Sequence, residues 1–233
     1  MQNINIAKMR KLGYASEEAY KSLRTNLQFC GKDVRVIAFT SCVPNEGKSS
    51  ITVNIAQSFA QAGKKVLLID ADMRKSVLIG RYRIKKALNG LSHYLSGYAE
   101  LDEVLCETNL EGMYMIVSGP VPPNPSELLS SDAFIELIKV AREEFDYIFI
   151  DTPPLGSVID AAVVSEVCDG MCLVMSAREI SYKFANRIKE QLQKTKCKIL
   201  GVVLNKVKVN QGSYYGRYYG KYYGKYYGKY YGK

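Results

Sequence analysis

Short apolar segments rich in β-branched residues alternate with segments of helical periodicity along most of this chain. The apolar segments are residues 34–40, 66–69, 114–117, 147–150, 171–175 and 199–204, and the helical ones include residues 49–62, 132–144 and 182–194. Continuous apolar runs of this length are typical of strands buried on both faces of a parallel sheet. Strands that alternate with helices predict βαβ units. The sequence therefore predicts an α/β fold with a doubly wound, mostly parallel sheet flanked by helices.

The chain divides into three predicted regions. Residues 1–30 contain an amphipathic helix at 16–28, with Ser16 as its N-cap and Tyr20, Leu23 and Leu27 on one face. Residues 31–211 form the α/β domain, and residues 212–233 form a tail. Within the domain, four prolines at positions 120–125 forbid a helix and predict a stiff loop over residues 118–129. This loop is either a connector or a border of the active site.

The composition excludes several classes of protein. The chain has no apolar run of the roughly 18 to 20 residues that span a bilayer. It begins without the apolar core of a secretory signal, so we expect a cytosolic protein. Six scattered cysteines without a CxxC pair and a single histidine, His93, argue against a disulfide scaffold and a structural zinc site.

Residues 214–233 of the tail read YYGR followed by four copies of YYGK. It contains no aliphatic residue that could seed a core, so we expect it to be disordered. It carries five of the nine net positive charges of the chain and leaves four on the rest. Its ten tyrosines are Tyr214, Tyr215, Tyr218, Tyr219, Tyr222, Tyr223, Tyr226, Tyr227, Tyr230 and Tyr231.

A phosphate-binding motif follows the first predicted strand of the domain. Residues 41–49 read SCVPNEGKS, which fits GxxxxGK[ST] except that Ser41 replaces the first glycine. Backbone N–H groups and a helix N-terminus would bind the phosphates of ATP, Lys48 would reach the β- and γ-phosphates, and Ser49 would ligate Mg²⁺. The predicted nucleotide-binding residues of the loop are Pro44, Asn45, Glu46, Gly47, Lys48, Ser49 and Ser50.

Carboxylates follow two other predicted strands. Asp151 ends the segment IFID, and Asp70, Asp72 and Arg74 lie in VLLIDADMR. The carboxyl ends of parallel strands form the ligand-binding edge of such sheets. Buried acids beside a phosphate loop need a cation, and Mg²⁺ is the natural one. The alternative for either site is a helix N-cap.

These motifs together resemble the bacterial tyrosine kinases of capsule and exopolysaccharide synthesis, in particular the free-standing cytoplasmic type of Firmicutes. The resemblance extends from about residue 14 to the C-terminus and rests on FTSCVPNEGKSS, LLIDADMRKS, IFIDTPP, SGPVPPNPSELL and the tyrosine tail. It implies a P-loop NTPase fold and autophosphorylation of the tail with ATP and Mg²⁺.

The resemblance also implies a role for each motif. Lys48 and Ser49 correspond to Walker A, Asp70 and Asp72 to Walker A′, and Asp151 to Walker B. The resemblance implies that Lys48, Asp70, Asp72 and Asp151 are catalytic. Asp70 would be the base or orienter of the tyrosine hydroxyl. Ser49, Asp70 and Asp151 would hold the metal. Arg74 would contact either a phosphate of the nucleotide or a neighbouring subunit. Asn205 would contact adenine, or it is only a turn residue.

The resemblance further implies partners. The ExxRxxR helix through which the family forms rings reads here as Glu18, Lys21 and Arg24. Lysine at the first basic position lacks the bidentate fork of arginine, which predicts weaker self-association. A transmembrane activator of the polysaccharide co-polymerase type would recruit the chain to the inner face of the membrane, and a protein-tyrosine phosphatase would reverse its reaction.

Two other functions compete with a kinase. A non-kinase P-loop ATPase of the partitioning and cell-division type would share the fold, but its signature lysine, five residues before Lys48, is Val43 here. Alternatively, the basic, tyrosine-rich tail could bind nucleic acid or a membrane surface. The strict YYGK spacing and the single arginine favour a phosphoacceptor, and we expect no nucleic-acid partner.

Overall fold

The structure is a computed structural model that describes residues 1–7, 9, 12–84 and 89–207. Eight strands within these ranges form one sheet: β1 (Gln2–Ile4), β2 (Val36–Ser41), β3 (Val66–Asp70), β4 (Cys106–Thr108), β5 (Met113–Ile116), β6 (Tyr147–Asp151), β7 (Gly170–Ser176) and β8 (Ile199–Asn205). Their order is β1-β4-β5-β3-β6-β2-β7-β8. All neighbouring strands are parallel except β4 and β5. The predicted doubly wound, mostly parallel fold is confirmed.

Helices cover both faces of this sheet. They are α1 (Tyr14–Gln28), α2 (Lys48–Ala60), α3 (Leu78–Tyr82), α4 (Leu91–Leu95), α5 (Leu101–Val104), α6 (Pro125–Leu129), α7 (Asp132–Glu144), α8 (Asp160–Val164) and α9 (Tyr182–Gln193), with a 3₁₀ turn at Ser165–Val167. Apolar side chains of α1, α2 and α3 pack in one core, and those of α4 to α9 pack in a second core. Because β2, β3 and β6 lie between these layers, every residue of β2 and β3 is buried.

The local predictions agree with most elements and differ at a few. The amphipathic helix begins at Tyr14 with Gly13 as N-cap, two residues before the predicted start at Ser16, so the predicted N-cap is wrong. The end of the proline-rich segment is helical, because Pro125 occupies the first turn of α6. Backbone N–H groups there have no partner within the helix, so a proline without an N–H is tolerated. None of the described helices combines the length and hydropathy that a membrane-spanning segment requires.

The sheet brings the carboxyl ends of β2, β3 and β6 together at its centre. Asp151 at the end of β6 pairs in register with Asp70 at the end of β3 and with Phe39 of β2. The phosphate loop follows β2 directly, so both acids lie beside it. The predicted tail, residues 212–233 with its ten tyrosines, lies outside the described residues.

Candidate active site

The phosphate loop connects β2 to the 13-residue helix α2. Asn45 (φ 67°) and Gly47 (φ 91°) adopt the left-handed conformation, which places Pro44 and Asn45 at the exposed tip of the loop. A Cβ atom on Gly47 would collide with the side-chain amide of Asn205, and the positive φ is one that other residues rarely adopt, so glycine is favoured there. Backbone N–H groups at the start of α2 form the kind of surface that binds an anion.

Glu46 holds this loop from the inside. Its carboxylate is 1% exposed and accepts hydrogen bonds from the backbone N–H groups of Cys42 (2.7 Å), Val43 (2.9 Å) and Ser176 (2.9 Å). The Asn205 amide at the end of β8 donates to the Glu46 carbonyl oxygen (2.8 Å). Two residues that the sequence placed against the nucleotide, Glu46 and Asn205, therefore bind the loop itself. Both shape the surface that a phosphate would meet.

Replacing Glu46 with Gln tests this positioning role. The side-chain amide of the glutamine would have to point its NH₂ group toward backbone N–H donors. A buried donor left unpaired costs about 1–3 kcal/mol. We expect a lower melting temperature and ATP affinity weakened by about tenfold. Thermal unfolding and nucleotide titration measure the two effects. Glu143→Gln, at an exposed position of α7, is the matched control. An unchanged ATP affinity for Glu46→Gln would contradict the assignment.

Lys48 and Asp151 form a buried ion pair. The Lys48 Nζ lies 2.6 Å from Oδ1 of Asp151, and the two side chains are only 6% and 1% exposed. Lys48 Nζ also donates to the Ser49 hydroxyl (3.2 Å), and Thr52 Oγ1 donates to the same Asp151 oxygen (3.3 Å). The predicted convergence of a P-loop lysine and a strand-end acid is thus present. The sequence did not single out Thr52, which follows Lys48 by one helical turn.

The Walker A′ acids lie on the other side of Asp151. Asp70 is fully buried and accepts a hydrogen bond from the Ser76 hydroxyl. Burial, and then the neighbouring charge of Asp151, raise the pKa of Asp70 to about 8. Burial also raises the pKa of Asp72, whose carboxylate accepts the Lys75 N–H (3.1 Å). Two adjacent buried carboxylates that disfavour ionisation are a place where a cation is stabilising.

The donor set fits Mg²⁺ together with nucleotide phosphates. Ser49, Asp70 and Asp151 offer hard oxygen ligands, which Mg²⁺ prefers. Among the residues described by the structure, no group of three or more acidic, histidine or cysteine side chains forms a ready metal cage. Mg²⁺ usually takes only one or two carboxylates and completes its shell with phosphates and water. The site is therefore suited to a metal that arrives with the nucleotide.

Arg74 is fixed by residues that the sequence analysis missed. Its guanidinium binds Asp160 at the start of α8 through Nε (2.7 Å) and a terminal nitrogen (3.0 Å). The Ser126 hydroxyl donates to Asp160 (2.7 Å) and accepts from Arg74 (2.9 Å). Asp160 is fully buried, while Arg74 remains 39% exposed. The triangle joins the segments that follow β3, β5 and β6, and through Ser126 the end of the proline-rich segment contacts Arg74.

The remaining predicted residues have partners elsewhere. The Ser50 hydroxyl accepts a hydrogen bond from Arg81 (2.7 Å). On α1, Lys21 pairs with Glu18 (2.7 Å), and Arg24 donates to the Ser58 carbonyl oxygen (2.5 Å) on α2. The structure thus ties the predicted self-association helix to its own domain.

The parallel sheet, the glycine-containing loop, the helix that begins at its lysine and the strand-end acids define a P-loop nucleotide-binding protein. A family model described as an AAA domain matches residues 34–201. The tyrosine-protein kinase CpsD of Streptococcus agalactiae is 44% identical over 199 residues, which cover 85% of this chain and 87% of CpsD. The tyrosine-protein kinase YwqD of Bacillus subtilis is 38% identical over 214 residues, which cover 91% and 90% of the two chains.

The fold points to the same group. The kinase domain of the Escherichia coli tyrosine kinase ETK superposes with a TM-score of 0.80 at 30% identity and covers 88% of this chain and 84% of that one. This chain belongs to the family of bacterial tyrosine-protein kinases. The septum site-determining protein MinD of Pyrococcus horikoshii, 24% identical with a TM-score of 0.64, shares the fold alone and covers 76% of this chain and 72% of its own. The kinase hypothesis is thereby favoured over the partitioning-type ATPase.

Proposed function

We propose that this kinase transfers the γ-phosphate of Mg-ATP to the tyrosines of its own C-terminal tail. One observation carries the proposal: β8 ends at Asn205, whose side chain contacts the phosphate loop. The chain therefore continues from the catalytic edge of the sheet toward its ten clustered tyrosines. As a flexible coil, the 27 residues after Lys206 would span about 26 to 31 Å, enough to enter this site or that of a neighbour.

Each site residue has a role in this transfer. Lys48 would exchange its contact with Asp151 for the β- and γ-phosphates, while Ser49 and Asp151 would hold Mg²⁺, which neutralises phosphate charge. The tyrosine oxygen attacks the γ-phosphorus, the bond to the ADP oxygen breaks, and the phenolic proton passes to Asp70. Asp70 accepts this proton in its ionised form, which the charge of Mg²⁺ bound beside it would favour over the protonated form. Asp72 lies beside this path, and Arg74 borders it.

The wider setting follows the family resemblance. We propose a role in capsule or exopolysaccharide synthesis, at the inner face of the membrane, with a transmembrane activator and an opposing tyrosine phosphatase. Self-association into a ring would use Glu18, Lys21 and Arg24 of α1. Each phosphotyrosine adds a charge of about −1.5 to −2, so three would cancel the five basic charges of the tail. Further phosphorylation would give the tail a net negative charge.

Truncation after Gln211 tests the identity of the acceptor. We expect the shortened chain to bind Mg-ATP as tightly as the full chain but to lose most phosphate incorporation, because all ten predicted acceptors are removed. Labelling with radioactive ATP, in the presence of the cytosolic segment of the candidate activator, measures the loss. A full chain in which the five basic residues of the tail are replaced by glutamine controls for charge. Undiminished labelling of the truncated chain would refute the tail as the main substrate.

A further inference from the structure

The body of the protein carries its positive charge in one place. Residues 182–198 contain six basic residues, Lys183, Arg187, Lys189, Lys194, Lys196 and Lys198, and a single acid, Glu190. This segment has a net charge of +5. The tail carries another +5, so the total of +9 leaves about −1 for all other residues together. A concentration of charge this strong indicates a surface for an anionic partner.

All six basic side chains are exposed. In the part of the chain that the structure describes, none of them forms an ion pair, and Lys198 only donates to the Cys30 carbonyl oxygen (3.3 Å). α9 buries Ile188 and Leu192 against the sheet. Lys183, Arg187 and Lys194 recur at i, i+4 and i+11, which aligns them along the outer side of the helix together with Glu190. We call these six basic residues the α9 basic surface.

Exposed apolar side chains border the α9 basic surface. Tyr182, the first residue of α9, is 82% exposed. Phe29, next to the Cys30 carbonyl that Lys198 binds, is 83% exposed, and Val202 of the edge strand β8 is 58% exposed. Aromatic side chains at the margin of a cationic surface are typical of contact with the headgroup region of a bilayer.

We propose that the α9 basic surface docks on an anionic lipid surface. A lipid bilayer can bind both parts of this surface. Its anionic headgroups would pair with the cations, and its interfacial region would accept the exposed aromatic side chains. A phosphorylated tail or a nucleic acid would engage the cations and leave the apolar margin without a role. Each basic residue held near an anionic bilayer strengthens binding by a factor of about five. The docking needs neither ATP nor phosphoryl transfer, so it is independent of the proposed kinase reaction.

Sedimentation with lipid vesicles tests the docking. We expect the full chain to bind vesicles that contain phosphatidylglycerol and not vesicles of phosphatidylcholine alone. Substituting Lys183→Gln, Arg187→Gln and Lys194→Gln together should weaken binding by at least about tenfold. The matched control, Lys64→Gln, Lys65→Gln and Lys139→Gln, removes the same charge elsewhere and should bind like the wild type. Equal binding by the two triple variants, or equal binding of the wild type to both vesicle types, would overturn the proposal.

Chemical acetylation provides a second readout without any substitution. Bound vesicles should protect Lys189, Lys194 and Lys196 from acetylation while Lys139 on α7 stays reactive. The same experiment with a phosphorylated tail and no vesicles identifies the competing ligand. Protection of α9 by the phosphorylated tail alone, without protection by vesicles, would contradict lipid docking.

Discussion

The substitution Lys48→Met is expected to reduce tyrosine phosphorylation by at least about 100-fold, because it removes a positive charge directed at the transferred phosphate. It should also destabilise the protein. Lys48 is the ion-pair partner of Asp151, and both side chains are buried. Removing one member of a buried pair leaves an uncompensated charge and costs about 3–5 kcal/mol. Phosphotyrosine detection and urea unfolding measure the two consequences.

The double variant Lys48→Met/Asp151→Asn separates the loss of activity from the loss of stability. It replaces both charges, so most of the lost unfolding free energy should return. Thr52 keeps a hydrogen-bond partner, since its hydroxyl also lies 3.0 Å from the Lys48 carbonyl oxygen, which neither substitution removes. Activity should stay as low as in the single variant, because neither the phosphate-binding charge nor the metal ligand is present. Recovered stability with recovered phosphorylation would contradict the role assigned to Lys48.

The second large effect is expected for Asp70→Asn. Asparagine keeps the shape of the side chain and the contact with the Ser76 hydroxyl, but it cannot accept the phenolic proton. Loss of a general base typically lowers the rate by about 10²–10⁴-fold. ATP binding should remain, since the loop, Lys48 and the proposed metal ligands Ser49 and Asp151 are untouched. Single-turnover transfer measured with bound Mg-ATP distinguishes the rate of chemistry from binding. A normal transfer rate would exclude Asp70 as the base.

Asp70→Asn should nevertheless stabilise the protein without nucleotide. Burial beside Asp151 holds the pKa of Asp70 at about 8, well above the value of roughly 4 in an unfolded chain. A group whose pKa is raised on folding contributes full stability below its unfolded pKa and loses it as pH rises through the folded pKa. Asparagine does not ionise. We expect equal melting temperatures near pH 4 and a more stable variant above pH 8. A variant less stable than the wild type at pH 9 would show that folding does not raise the pKa of Asp70.

Most of the fold follows from local sequence patterns. The strands with continuous β-branched runs, such as β3 and β6, were predicted within one or two residues, since full burial on both faces demands an unbroken apolar run. β1 and β4 were missed, because strands of only three residues are too short to show a period. The helix start at Tyr14 was also missed, since Gly13 caps α1 without a side-chain hydrogen bond.

The site also contains residues that the sequence predicted and contacts that it did not. Asp70 and Asp151 were predictable because each ends a strand, and Lys48 because it lies in a recognisable loop motif that follows β2. Parallel strands bring these positions to one edge of the sheet. The contacts that hold the site were not predictable. Asp160 reaches Arg74 across 86 residues, and Ser176 reaches Glu46 across 130. Such pairs leave no mark in local spacing, so only the folded chain reveals them.

Mapping of phosphorylated positions by mass spectrometry tests whether the kinase phosphorylates its own tail. The full chain is incubated with Mg-ATP and the cytosolic segment of the candidate activator, beside the Lys48→Met variant. We expect phosphate on several of the ten tyrosines between Tyr214 and Tyr231 in the wild type, and none in the variant. A tail that stays unmodified while the same sample hydrolyses or transfers ATP phosphate elsewhere would contradict this expectation.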